Sequence, residues 1–169
     1  ETNVRPNFLS WDASVGMSYN TTFGENQGNS MFVGFAYHHL NRPRNSFYRD
    51  PSVEINPKYV ASLGFKWNID DYSAFTLQAD HSVQGEYTAT IGGGMYSHKI
   101  GGDLEAPLYT VHGGLFLRWK DALVPVIKLD WSKFSLAASY DINVSQLKTA
   151  SMGRGGFEIS LSYIGFVRR

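Results

Sequence analysis

From Trp11 onward the chain breaks into short runs in which apolar residues hold every second position. Tyr59, Ala61, Leu63, Phe65, Trp67 and Ile69 alternate with Lys58, Val60, Ser62, Gly64, Lys66 and Asn68. A period of two sends alternate side chains to opposite faces of a strand. Many such strands, none with a helical period, fold as a barrel or a sandwich. What touches the two unlike faces then decides whether the protein lives in water or in lipid.

Nine strands are expected: Trp11 to Tyr19, Met31 to Leu40, Lys58 to Ile69, Ser73 to Ser82, Tyr87 to Tyr96, Tyr109 to Trp119, Ala122 to Asp130, Phe134 to Asn143 and Gly156 to Phe166. Turn-rich pieces separate them, among them residues 24–29, 41–57, 70–71, 101–103, 120–121 and 132–133. No linker divides the chain, so residues 1–169 read as one domain.

One face gathers Val15, Met17 and Tyr19, Phe75 and Leu77, Val111, Leu115 and Leu117, Leu136 and Tyr140, and Phe157, Ile159 and Leu161. The other gathers Asp12, Ser14, Gly16 and Ser18, Thr76, Gln78 and Asp80, His112 and Arg118, Ser135, Ser139 and Asp141, and Glu158, Ser160 and Ser162. A soluble barrel turns its apolar face inward, and a membrane barrel turns it outward to lipid. The polar face is dominated by small Ser, Gly, Ala and Thr, whereas a water-facing exterior is usually richer in Lys and Glu. Aromatics also sit at the expected strand ends: Trp11 with Tyr19, Tyr59 with Trp67, Tyr109 with Trp119. Eight residues at about 3.3 Å each, tilted near 40°, rise about 20 Å against an apolar band of about 25 Å. The expectation is an all-β, transmembrane antiparallel β-barrel with two aromatic girdles. Aromatics capping a soluble core are the competing reading.

Fifteen basic and fifteen acidic residues cancel, which leaves no basic footprint for nucleic acid. There is no cysteine, hence no thiol chemistry. No apolar run approaches the roughly 20 residues of a membrane helix, which leaves a strand span open. His38 and His39 alternate across a strand and point to opposite faces, so they cannot chelate one metal; Asp80 and His81 do the same, which counts against a metal site with Glu86. His112 and the many polar-face serines make a hydrolase conceivable, but nothing selects a nucleophile. Gly92, Gly93 and Gly94 precede no helix or lysine and read as a bulge, a kink or a close approach by a lumen plug rather than a phosphate loop. No catalytic residue, cofactor or metal is expected. Asn41, Arg42, Pro43 and Arg44 form a charged, proline-stiffened segment, either a shaped surface loop or a partner contact.

Two segments carry a resemblance. One is Tyr37-His38-His39-Leu40-Asn41-Arg42-Pro43-Arg44-Asn45-Ser46-Phe47. The other runs from Arg118-Trp119-Lys120-Asp121-Ala122-Leu123-Val124-Pro125 through Ser139-Tyr140-Asp141-Ile142-Asn143-Val144-Ser145 to Gly153-Arg154-Gly155-Gly156-Phe157-Glu158-Ile159-Ser160-Leu161. Together they resemble the PorP/SprF family of the type IX secretion system. The resemblance implies an outer-membrane barrel of about fourteen strands, of which this chain is the C-terminal part. The start at Glu1, with neither initiator Met nor signal peptide, reads as a processed form or a fragment.

The resemblance further implies a non-enzymatic role in secretion and surface display in the outer membrane of a Gram-negative bacterium. Its expected partners are outer-membrane lipid and lipopolysaccharide, the C-terminal signal domain of cargo or an adhesin, and other secretion subunits or periplasmic lipoproteins. A closing strand that ends in an aromatic, Phe166, on the periplasmic side would put Asn41, Arg42, Pro43, Arg44 and Arg154 together at the outer rim. A diffusive pore and a barrel hydrolase are the alternatives.

Overall fold

Alternating runs separated by turn residues fold into one antiparallel meander. The computed structural model describes residues 10–24, 28–44, 53–103, 106–145 and 155–165. Its strands are β1 (Val15–Phe23), β2 (Asn29–His38), β3 (Lys58–Asn68), β4 (Ser73–Gln84), β5 (Tyr87–Asp103), β6 (Ala106–Arg118), β7 (Ala122–Trp131), β8 (Phe134–Tyr140), β9 (Ile142–Asn143) and β10 (Phe157–Tyr163). Each long strand pairs with the next along the path β1 to β8 and then β10, while the two-residue β9 pairs with β7. The outermost strands, β1 and β10, each have one partner in this sheet.

Four expected boundaries are corrected. Trp11 to Ser14 lie outside the first strand, which begins at Val15 and runs on to Phe23. The segment is held instead by the β2–β3 connection, with the Leu40 N–H donating to the Ala13 carbonyl at 3.0 Å. The second strand stops at His38 because His39 takes a left-handed φ of 59°. β5 and β6 run past the glycines read as a turn: Gly101 and Gly102 have φ of 64° and 73°, and the pairing resumes in register at Gly102 and Pro107. The run from Phe134 to Asn143 is broken at Asp141, although β9 keeps the register of β8 against β7. The gap begins where Tyr140 would meet Pro125, which has no N–H to give a ladder. Phe166 lies outside the described residues.

The two faces separate as the alternation demands, and the apolar face is the exposed one. Leu63 is 51% exposed, Ile127 68% and Leu161 70%. On the polar face side chains crowd one another, and His112 keeps only 9% exposure. The buried apolar residues among the described strands are Ala74, Ala122 and Val124, with no large side chain fully buried. A water-soluble fold of this length would bury its leucines and phenylalanines. The exposed apolar belt therefore marks the outside of a curved sheet whose solvent on that side is hydrocarbon.

The inner face is less polar than the sequence alone suggests. Phe32, Val60, Ile91, Met95, Phe116, Val124 and Val126 all register on it. Two of these rings lie over glycines of the neighbouring strand. A Cβ at Gly64 would stand 1.9 Å from the Phe32 ring, and one at Gly93 would stand 2.6 Å from Phe116 Cδ1 and 2.3 Å from the Leu115 carbonyl. Gly94, facing the other way, leaves room for the Phe75 ring at 2.7 Å. The three-glycine run thus lets β5 accept an aromatic ring on each face. The close approach expected of this run was by a lumen plug; the groups that approach it here are the protein's own phenylalanines.

Turns at one end of the meander are short. In the β3–β4 turn the Asp70 carboxylate accepts from the Tyr72 N–H at 2.8 Å and the Ser73 N–H at 2.7 Å. The Tyr72 N–H is the main reason that its carboxyl titrates below the usual range.

Two outcomes follow from this geometry. Leu63→Arg, outward on β3, is expected to weaken folding into lipid vesicles by roughly 2–4 kcal/mol, read from urea titrations, whereas inward Gln78→Arg costs far less. Because the Asp70 carboxyl is depressed on folding, its stabilising contribution is complete above the ordinary carboxylate range. It is lost as pH falls through the depressed folded value. Asp70→Asn should flatten this acid limb in unfolding midpoints measured against pH.

Candidate functional site

Both connections that carry the family-like segments lie at one end of the meander, since an even number of antiparallel strands separates them. The end is defined by the β2–β3 connection, the β4–β5 turn, the β6–β7 turn and the β8–β10 connection. It is built from two braced corners.

The first corner starts where β2 ends. The Arg42 N–H donates to the His39 carbonyl at 3.0 Å, which closes a turn with Arg42 itself at a left-handed φ of 44°. Asn41 is fully employed: its amide donates to the Trp11 carbonyl at 2.7 Å and accepts from the Ala13 N–H at 3.1 Å. His39 Nδ1 lies 2.8 Å from the Asp12 carboxylate, and His38 Nδ1 lies 3.2 Å from Ser14 Oγ. Pro43 is buried, and its carbonyl accepts from the Ile55 N–H at 2.9 Å. Arg44 pairs with Glu54 in an isolated bridge. Of the residues singled out from sequence, Asn41 and Pro43 thus brace the corner, while Arg42 and Arg44 stay exposed. Arg154 lies outside the described residues.

The second corner joins the ends of β6, β7 and β8. Arg118 Nη1 reaches Asp121 at 3.1 Å and Asp141 at 3.0 Å. The Asp121 carbonyl accepts from Val144 N–H at 2.8 Å and Ser145 N–H at 3.1 Å, while Asn143 Oδ1 accepts from the Ser145 hydroxyl at 2.7 Å. Sequence inspection did not find this cluster. The signal was an arginine and two aspartates separated by a strand pair, and only the register of β6 to β8 brings them together.

A second polar network lies on the inner face nearer the short turns. Ser97 Oγ is 2.7 Å from His112 Nδ1, and His112 Nε2 is 2.8 Å from Asp130 Oδ2. Lys128 Nζ lies 3.1 Å from the same carboxylate, and the Ser135 hydroxyl donates to its other oxygen at 2.6 Å. A Ser-His-Asp line is the arrangement a hydrolase needs, and the cross-strand register supplies the serine that sequence could not select. The rest of the chemistry does not accompany it. Ser97 sits mid-ladder between β4 and β6, where backbone N–H groups are committed to strand pairing and offer no oxyanion hole. Lys128 and Ser135 further tie the carboxylate, as in a closed structural network.

The named aromatics divide between the two ends. Tyr59 and Trp67 stand at opposite ends of β3, and Tyr109 and Trp119 at opposite ends of β6. Tyr19 falls in the middle of β1, and Trp11 precedes that strand. Contacts that sequence did not pair strengthen both ends. Tyr37 and Tyr59 stack at 4.7 Å at the loop end. Tyr109, Trp131, Phe134 and Tyr163 form a chain of rings 5.2–6.4 Å apart at the turn end. No group of three or more potential metal ligands occurs among the described residues.

A family model described as "Type IX secretion system membrane protein PorP/SprF" matches residues 1–163. Comparison with curated proteins and with solved structures gives no match.

Asp130→Ala is expected to destabilise the folded chain by roughly 1–3 kcal/mol, because it leaves Lys128 and the nearly buried His112 without their carboxylate acceptor. Ser97→Ala should cost less than half of that. Urea midpoints in lipid vesicles check the pair.

Proposed function

Because the chain belongs to the PorP/SprF family of type IX secretion system membrane proteins, a family of outer-membrane β-barrels, we propose that it is a non-enzymatic anchor for secreted cargo. It sits in the outer membrane of a Gram-negative bacterium as the C-terminal portion of a larger barrel. The outer edges of β1 and β10, which have no strand partner among the described residues, support that view, since backbone groups facing hydrocarbon require strand partners. Lipid and lipopolysaccharide meet the apolar belt, and other secretion subunits or periplasmic lipoproteins meet the short-turn mouth.

The observation that carries the reading is the asymmetry between the two ends. Outer-membrane barrels place short turns in the periplasm and longer loops outside. The loop end here is braced: Asn41 and Pro43 fix the chain from which Arg42 and Arg44 project, and the Arg118 cluster holds the neighbouring corner. Exposed guanidinium groups on a fixed frame suit a polar or acidic partner surface. The C-terminal signal domain of cargo, or of an adhesin, is the occupant proposed for this rim, with Arg154 as a further contact.

Two experiments test the reading. Cysteines placed at Glu86 and Lys120, at the loop end, should react with a membrane-impermeant maleimide on intact cells. Those at Asp71 and Lys133, at the turn end, should react only after the outer membrane is opened. The reverse pattern refutes the orientation. The double variant Arg42→Ala/Arg44→Ala should lower surface-retained cargo several-fold in whole-cell immunodetection while the barrel itself stays at its normal level. Undiminished display would sink the docking role.

A further inference from the structure

The inner face holds a pocket of about 440 Å³ near the short-turn end, bounded by β1, β2, β3 and β4. Its composition is one-sided. Cross-strand register lays Thr22, Ser30, Lys66 and Thr76 in a single row over four strands. The next row supplies Asn20 and the ring of Phe32, which is spread over Gly64. Among the described residues no carboxylate lines the pocket.

Lys66 is the exposed cation of this row. On the same face Arg118 holds Asp121 and Asp141 and Lys128 holds Asp130, while Lys58, like Lys66, makes no ion pair among the described residues. Lys66 has neither an ion pair nor a hydrogen-bond partner among the described residues. Asp80, on the same face of β4, is taken up by the Ser62 hydroxyl at 2.5 Å and the Gln78 amide at 2.9 Å. An ammonium flanked by hydroxyl donors, with an aromatic wall one row away, is a receptor for an anionic oxygen group attached to an apolar body.

We propose that this pocket binds a peptide carboxylate, either a chain terminus or an acidic side chain, with Lys66 as the counter-ion and Phe32 against the adjoining apolar part. The pocket faces the inside of the curve, away from the lipid belt. Its volume fits one or two residues of an extended chain rather than a folded domain. The site lies at the opposite end from Arg42 and Arg44 and does not depend on the rim docking role.

The test uses the full chain in uncharged detergent, with N-acetyl-phenylalanine as the carboxylate probe and its amide as the neutral twin, read by calorimetry or ligand-observed NMR. The acid should bind at least about tenfold more tightly than the amide. Lys66→Met should abolish this preference and Lys66→Arg should retain most of it. Heat-modified gel mobility confirms that each variant is folded, and Thr76→Val gives a second, milder loss should Lys66→Met not fold. Arg42→Ala/Arg44→Ala must leave binding unchanged, which separates this site from the rim. Equal binding of acid and amide, or an undisturbed preference in Lys66→Met, overturns the proposal. Inorganic phosphate binding as well as the acid overturns the assignment to a peptide.

Discussion

Hydrocarbon offers no hydrogen bonds, and that constraint organises this protein. Every backbone N–H and C=O at membrane depth must find its partner inside the protein, which a continuous antiparallel ladder accomplishes strand by strand. Nine long strands in one meander follow from it, as do the tightly kept registers. Among the described residues irregularity gathers at the ends, and the break between β8 and β9 begins where Pro125 withholds an N–H.

With the apolar side chains given to lipid, the inner face must hold itself together by other means. It does so with the Ser97–His112–Asp130–Lys128–Ser135 network and with phenylalanine rings spread over glycines of the next strand. Both devices work between neighbouring strands rather than across a core. A single-layer sheet has no second layer to pack against, so cross-strand pairs become its main source of side-chain stabilisation.

The ends of the sheet divide the labour. Short turns, aromatic rings and the Lys66 pocket mark one mouth, and two braced corners mark the other. The family-like segments spend many of their polar atoms on holding these corners in shape. Asn41 caps the Trp11–Ala13 segment in both directions, and Arg118 clamps two aspartates. A fixed frame that leaves Arg42 and Arg44 exposed would lower the ordering cost of the docking role proposed for them.

Sequence by itself determined that the chain is built of strands, which face of each is greasy, and roughly where each begins and ends. These follow from a period of two and from turn residues, which are local properties. It also carried the family, through segments at the strand ends. It did not disclose that Phe116 and Phe32 point inward over glycines, that Ser97 meets His112, or that Arg118 meets Asp141. Nor did it show that the first strand slides from Trp11 to Val15. Those facts depend on register, a relation between residues far apart in the chain, and register is decided only when neighbouring strands pair along their whole length.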